Sequence, residues 1–216
     1  MIKADIHLHT LLSDGRQHPE EVMRIMGRYI QKGTIDLFGI SDHYKRHPAF
    51  PLRDNIELRN YINYLRRLRD FQTYFDPRRM KIGIEVYSFR GIPHITEENL
   101  NMLDYILIEY VENRIEELLE WRKNIEKPVG LSHPIYECLL PFRDDIASAD
   151  VFLELNGIKP TYRKCPQFFQ GMPSELRFSI GSDMHNFFSR TRNTYIEAEL
   201  TFAEELGLPL VTDNWL

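Results

Sequence analysis

Six short segments, far apart along the chain, carry residues that bind divalent metals: Asp5-Ile6-His7-Leu8-His9, Ser13-Asp14-Gly15, Ser41-Asp42-His43, Gly83-Ile84-Glu85, Ser132-His133-Pro134 and Gly181-Ser182-Asp183-Met184-His185. Imidazole and carboxylate donors mixed in this way suit Zn, Mn or Fe, and the sequence does not choose among them. His-x-His on a strand is a two-tooth chelate, because period-two alternation places Asp5, His7 and His9 on one side and Ile6 and Leu8 on the other. Taken alone it is also an ordinary polar strand face. Its weight comes from the other segments, most of which follow a short apolar run. A carboxylate such as Glu85 can bridge two cations through its two oxygens.

Residues so distant in sequence need elements that bring them together. A parallel α/β barrel does this, since the C-terminal ends of its strands share one rim. Strands and helical patterns alternate as that architecture requires. The first strand lies near Lys3–His7. Pro19 then opens a helix with Val22, Ile25, Met26, Tyr29 and Ile30 on one face, ending at Gly33. Leu37–Ile40 is the second strand, and a helix from about Asp54 to Phe75 turns Leu58, Tyr61, Ile62, Leu65 and Leu68 inward. Further strands fall at Lys81–Val86, Tyr105–Ile108, Val129–Leu131, Val151–Leu155 and Phe178–Ile180. Seven strands are countable and an eighth is not. With no repeat or linker to divide it, the chain reads as a single domain over residues 1–216.

Composition bounds the setting. The 216 residues are enough for one barrel but fall short of the roughly 250 of the usual eight-unit form. A hydrophobic fraction of 43% and a charged fraction of 27% are ordinary for a globular protein, and no run approaches the roughly 20 apolar residues of a membrane span. The N-terminus lacks a signal-peptide pattern, and Cys138 and Cys165 form no C-x-x-C pair, so the expected location is the cytoplasm. A net charge of −5 argues against general nucleic-acid binding. Oligomeric state is not legible.

The six segments, in this order from Asp5 to His185, resemble the polymerase and histidinol phosphatase (PHP) family of metal-dependent phosphoesterases. The resemblance implies a distorted, TIM-like (β/α)7 barrel with a trinuclear metal centre at the C-terminal rim of the strands. It also implies a hydrolase acting on phosphoric esters, with a small phosphomonoester of the histidinol phosphate, sugar phosphate or nucleotide class as substrate. By the same resemblance His7, His9, Glu85 and Asp183 hold a first metal, Glu85 and His133 a second, and Asp14, His43 and His185 a third. The remaining ligand of the second metal departs from the family pattern. His94 and Glu109 compete for it, with Glu112 a third choice, and strand-end geometry favours Glu109.

In such a centre, cations about 3.5–4 Å apart clamp phosphoryl oxygens and make hydroxide available near neutral pH. Glu85, Asp183 and His185 are the expected catalytic residues, and the expected nucleophile is a metal-bridging hydroxide. Asp5 and Asp42 are candidates for orienting ligand imidazoles. Arg163 and Arg190 are the expected phosphate contacts, near Lys159 and Lys164 in one loop and Arg192 in the other.

Other readings share these residues. Arg59, Arg66, Arg67, Arg69, Arg78, Arg79 and Lys81 form a basic stretch that a nuclease or phosphodiesterase would use, or that simply makes a solvated helix face. A non-catalytic metal-binding PHP module is a further alternative. An amidohydrolase also starts with His-x-His, but the strand Tyr105–Glu109 lacks the lysine that bridges metals in that family.

Overall fold

The apolar runs ahead of the ligand segments become strands because their β-branched and aromatic residues are buried on both faces, as in a parallel sheet covered by helices. The computed structural model describes residues 1–44, 52–111, 114–187 and 192–216. In chain order these hold β1 (Ala4–Leu8), α1 (Pro19–Gln31), β2 (Leu37–Ile40), β3 (His43–Tyr44), α2 (Asn55–Phe71), β4 (Met80–Ser88), α3 (Glu97–Met102) and β5 (Tyr105–Tyr110). Then come α4 (Ile115–Arg122), β6 (Val129–Leu131), α5 (Tyr136–Leu139), α6 (Arg143–Ser148), β7 (Val151–Asn156), β8 (Phe178–Gly181) and α7 (Arg192–Leu206).

All strand pairs are parallel, in the order β1-β2-β4-β5-β6-β7-β8, with β3 paired to β4. This is the expected TIM-like barrel, and the seven countable strands are its main path. The eighth, β3, is two residues long, too short to carry any periodicity. The seam between β1 and β8 closes through Leu8 and Met184, where His9 N–H donates to the Met184 carbonyl at 3.0 Å.

Local chemistry sets the helices. Pro19 at the first turn and Glu20 and Glu21 beside it start α1, and the Asp54 carboxylate caps α2 by accepting from Ile56 and Glu57 N–H. Helix α2 ends at Phe71 rather than near Phe75, because Gln72 leaves the helical region and its side chain takes the Tyr74 and Phe75 N–H groups. Among the described residues no helix is long and apolar enough to cross a membrane.

The lower barrel interior is an apolar plug of Ile6, Leu37, Tyr105, Leu107, Phe152 and Val211. Tyr105 and Phe152 fit only because the facing positions are glycines. A Cβ on Gly39 would lie 2.3 Å from the Tyr105 hydroxyl, one on Gly83 2.4 Å from the Tyr105 ring, and one on Gly130 2.0 Å from the Phe152 ring. Gly130→Ala is therefore expected to cost about 1–3 kcal/mol of stability, the usual penalty for overpacking a core. Urea unfolding of the two proteins measures it, and equal midpoints would contradict the packing.

Strand β1 departs from simple alternation. Asp5 pairs with Phe38 and Leu8 with Ile40, so β1 holds one more residue than β2 across that stretch, a β-bulge. Ile6 thereby joins the interior plug while His7 still reaches the rim. Asp5 leaves the side of His7 and His9 that alternation assigns to it and lines a small outer cavity with Met26 and Tyr29 of α1. Its carboxylate accepts from Ser182 N–H at 3.1 Å and from Ser182 Oγ at 2.6 Å, tying β1 to the end of β8. Burial pushes Asp5 up to about 6, against the Ser182 hydrogen bonds that pull it down.

Candidate metal centre at the barrel rim

The ligand segments lie at strand ends or just beyond them, so their side chains meet over the apolar plug. Glu85, from β4, stands at the middle. Its Oε1 is 3.3 Å from His7 Nε2 and 3.4 Å from His133 Nε2, and its Oε2 is 2.8 Å from His43 Nδ1 and 3.6 Å from His9 Nε2. Asp183 Oδ1 lies 3.3 Å from His9 Nε2 and 2.9 Å from His185 Nε2. Asp14 joins His185 Nδ1 at 2.9 Å and His43 Nε2 at 3.5 Å. Glu109, ending β5, is 3.9 Å from His133 Nε2. Among the described residues three groups bring donor atoms within 4.8 Å of one another: His9-Asp14-His43-His185, His7-His9-Glu85 and His43-Glu85-Glu109.

A second layer fixes these side chains. Glu154, buried on β7, lies 2.6 Å from His7 Nδ1 and accepts from the His133 N–H at 2.6 Å. A carboxylate can only accept, so His7 Nδ1 carries the proton and Nε2 faces the cluster. Ser132 Oγ donates to Glu85 Oε1 at 2.6 Å. Asp42 accepts from Thr10 N–H, Thr10 Oγ1 and Ser13 Oγ at 2.6, 2.7 and 2.6 Å, which anchors the loop carrying Asp14. Gly15 lets that loop turn beneath His9, since a Cβ there would lie 2.5 Å from the His9 carbonyl oxygen. His133 and Asp183 both adopt left-handed backbone, φ 32° and 48°. Such positions cost about 1–3 kcal/mol each and collect at functional sites.

The donor set fits divalent cations. His7 Nε2, both ring nitrogens of His9, Glu85 Oε2 and Glu109 Oε2 are buried without a hydrogen bond among the described residues. Leaving such groups unsatisfied costs about 1–3 kcal/mol each. Electrostatics agree. Burial alone would raise Glu85, but His7, His133 and His43 outweigh it and hold the carboxyl well below its usual range. Burial opposes protonation of His7, yet Glu154, Glu85 and Asp183 hold it well above the ordinary imidazole range. Against burial, Asp14 and Asp183 lift His185 to about 9, and Asp14 and Glu85 raise His43. Burial, with His43 and His7 nearby, lowers His9 to about 3.

His7, His43 and His185 must shed protons to become ligands. Divalent-metal binding at neutral pH is therefore expected to release protons, and apparent affinity to rise on the order of tenfold per pH unit for each proton displaced. The rise should continue until pH passes the value of about 9 at His185. Calorimetry in buffers of different ionisation enthalpy counts the protons, and a pH-independent affinity would contradict the ligand assignment.

Of the residues expected from sequence, His7, His9, Asp14, His43, Glu85, Glu109, His133, Asp183 and His185 come together. His94 does not: it is exposed on a 3-10 turn after β4 and belongs to none of the donor groups. Local spacing from Glu85 suggested it, whereas a strand end supplies Glu109. Glu112 and Arg190 lie outside the described residues. Arg163 is held by partners outside the donor groups, with Nε donating to Tyr162 Oη at 2.9 Å and its guanidinium 3.2 Å from Glu199. The basic stretch is engaged in structural pairs, among them Arg59 with Glu98, Arg69 with Asp104 and Arg79 with the Asp36 carbonyl. Sequence reasoning missed Glu154. Its signal was a charge inside the apolar run Val151–Leu155, a place where charge needs a partner.

No family model and no curated protein matches the chain. Among solved structures it is similar to a truncated 3-deoxy-D-arabino-heptulosonate 7-phosphate synthase from Thermotoga maritima, at 13% identity and a TM-score of 0.52, covering 96% of this chain and 90% of that one. A phospho-2-dehydro-3-deoxyheptonate aldolase (DAHP synthase), also from Thermotoga maritima, is similar at 12% identity and a TM-score of 0.52, covering 96% of this chain and 71% of that one. The likeness shows the fold. These neighbours are not phosphoesterases of the polymerase and histidinol phosphatase family, so the expected membership of that family is corrected, and with it the phosphoric-ester hydrolase and phosphatase reading. The physical reason lies in the motifs. Each is a few ligand residues at a strand end, which the rim of any metal-binding barrel brings together, and fold-level convergence does not fix chemistry.

Proposed function

We propose that residues 1–216 act as one divalent-metal-dependent enzyme whose rim centre binds a small phosphorylated substrate. The observation that carries this reading is the convergence on Glu85 of His7, His9, His43 and His133, with ligand atoms of His7, His9 and Glu85 that are buried without a well-formed hydrogen bond among the described residues. His7, His9, Glu85 and Asp183 would hold one ion, Asp14, His43 and His185 another, and Glu109 with His133 border a further position. Mn, Zn and Fe suit this set. When bound, such ions act as Lewis acids that polarise substrate oxygens and stabilise developing negative charge.

The chain's own residues do the rest. Glu154 holds His7 in one tautomer, Asp42 holds the Asp14 loop, and Ser132 orients one Glu85 oxygen. Lys159 places an ammonium at the mouth, 3.0 Å from Asp183 Oδ2. Because Asp183 and the neighbouring carboxylates keep it protonated, it suits the holding of an anion rather than attack as a free amine. The names of the fold neighbours carry a phosphorylated sugar acid and an aldolase, and the phosphorylated substrate proposed here is consistent with them.

The test strips the protein of metal, reloads it with Mn or Zn, and incubates it with a panel of phosphorylated metabolites read by NMR, which reports any bond change. Conversion of a panel member only by the loaded protein is expected. Metal uptake with no perturbation of any phosphorylated compound would contradict the substrate class.

A further inference from the structure

Beyond the ligand groups, the described residues of the rim hold one more charged atom close enough to occupy ligand atoms itself. Lys159 Nζ lies 3.0 Å from Asp183 Oδ2 and 3.1 Å from His133 Nε2. An ammonium has donors only, so His133 presents a lone pair to it, the same lone pair a metal would take. From that nitrogen Glu85 Oε1 is 3.4 Å away and Glu109 Oε1 3.9 Å. Lys159 therefore sits against the donors that border the Glu109 side of the centre.

Its place is built into the fold. Asn156, at the end of β7, accepts the Ile158 and Lys159 N–H groups at 3.0 and 2.7 Å, and its own amide donates to Glu154 Oε2 at 3.0 Å. Gly157 N–H donates to the Gly181 carbonyl. The lysine thus hangs from a turn locked to the carboxylate that also orients His7. Charge supports the same picture: Asp14, Glu85, Glu109 and Asp183 surround the rim, and a resident positive charge offsets part of their repulsion as a cation would.

We propose that Lys159 stands in for a cation on the Glu109 side. The chain then binds divalent ions tightly at its His7-His9-Glu85 and Asp14-His43-His185 sides and resists one between His133 and Glu109. This rests on the reading of the rim as a metal centre.

The experiment compares wild type with Lys159→Met and Lys159→Arg, each stripped of metal, titrated with Mn by calorimetry, and assayed for bound Mn after desalting. Lys159→Met is expected to bind one more ion per chain, or to bind its weakest ion at least about tenfold tighter, the scale on which neighbouring groups tune metal sites. Lys159→Arg, which keeps the charge, should match wild type. Equal stoichiometry and affinity in wild type and Lys159→Met would overturn the inference while leaving the metal centre standing. Absence of Mn binding in all three proteins would overturn the metal centre itself, and the inference with it.

Discussion

Glu85→Gln is expected to lower divalent-metal affinity by at least about 100-fold, beyond the 10–100-fold range of changes made around a site. Among the described residues, no other faces His7, His43 and His133 at hydrogen-bonding or near-contact distances with both of its oxygens. An amide of the same shape offers one oxygen and a donor, so one side of the bridge would turn an N–H group toward ligand nitrogens or cations. The metal-free protein should suffer as well. Removing one member of a buried, paired cluster costs about 3–5 kcal/mol, and the imidazoles that Glu85 helps keep protonated would lose their counter-charge. Calorimetric metal titration and urea unfolding report the two effects separately. Wild-type affinity in the variant would remove Glu85 from the centre of the account.

The second large effect belongs to Glu154, which is in none of the donor groups but holds two of the rim histidines, His7 and His133. Glu154→Gln should weaken metal binding by about 10–100-fold, as loss of an outer partner of a ligating histidine typically does. The mechanism is specific. With the carboxylate replaced, the amide can donate to His7 Nδ1 and release the proton to Nε2, the nitrogen that faces Glu85 at 3.3 Å. The same substitution disturbs the acceptor of the His133 N–H, which helps hold that residue in its left-handed conformation. Histidine NMR titration of the metal-free proteins should show the His7 imidazolium losing its proton at lower pH in the variant, and the neutral ring then in the other tautomer. An unaltered tautomer together with unaltered affinity would reduce Glu154 to a packing residue.

The rim was legible in the sequence because its residues end apolar runs, and parallel strands carry such ends to one place. Glu109 was favoured over His94 for the same reason, and it is Glu109 that reaches His133. The β1 bulge was not legible. One extra residue in a five-residue strand leaves no periodic trace, so Asp5 looked like a companion of His7 when it faces α1 and holds the seam through Ser182. Arg163 was expected at phosphate from the family resemblance and its place in the loop after Asn156. Its partner Glu199 lies 36 residues later, a pairing no local pattern announces. Family membership was the larger error, since short strand-end motifs report the geometry of a rim rather than the reaction performed there.

The central claim is that the rim holds divalent ions, and anomalous diffraction from crystals grown with Mn tests it most directly. The account predicts a peak among His7, His9, Glu85 and Asp183 and another among Asp14, His43 and His185. A well-ordered rim with no anomalous peak at saturating Mn would contradict it.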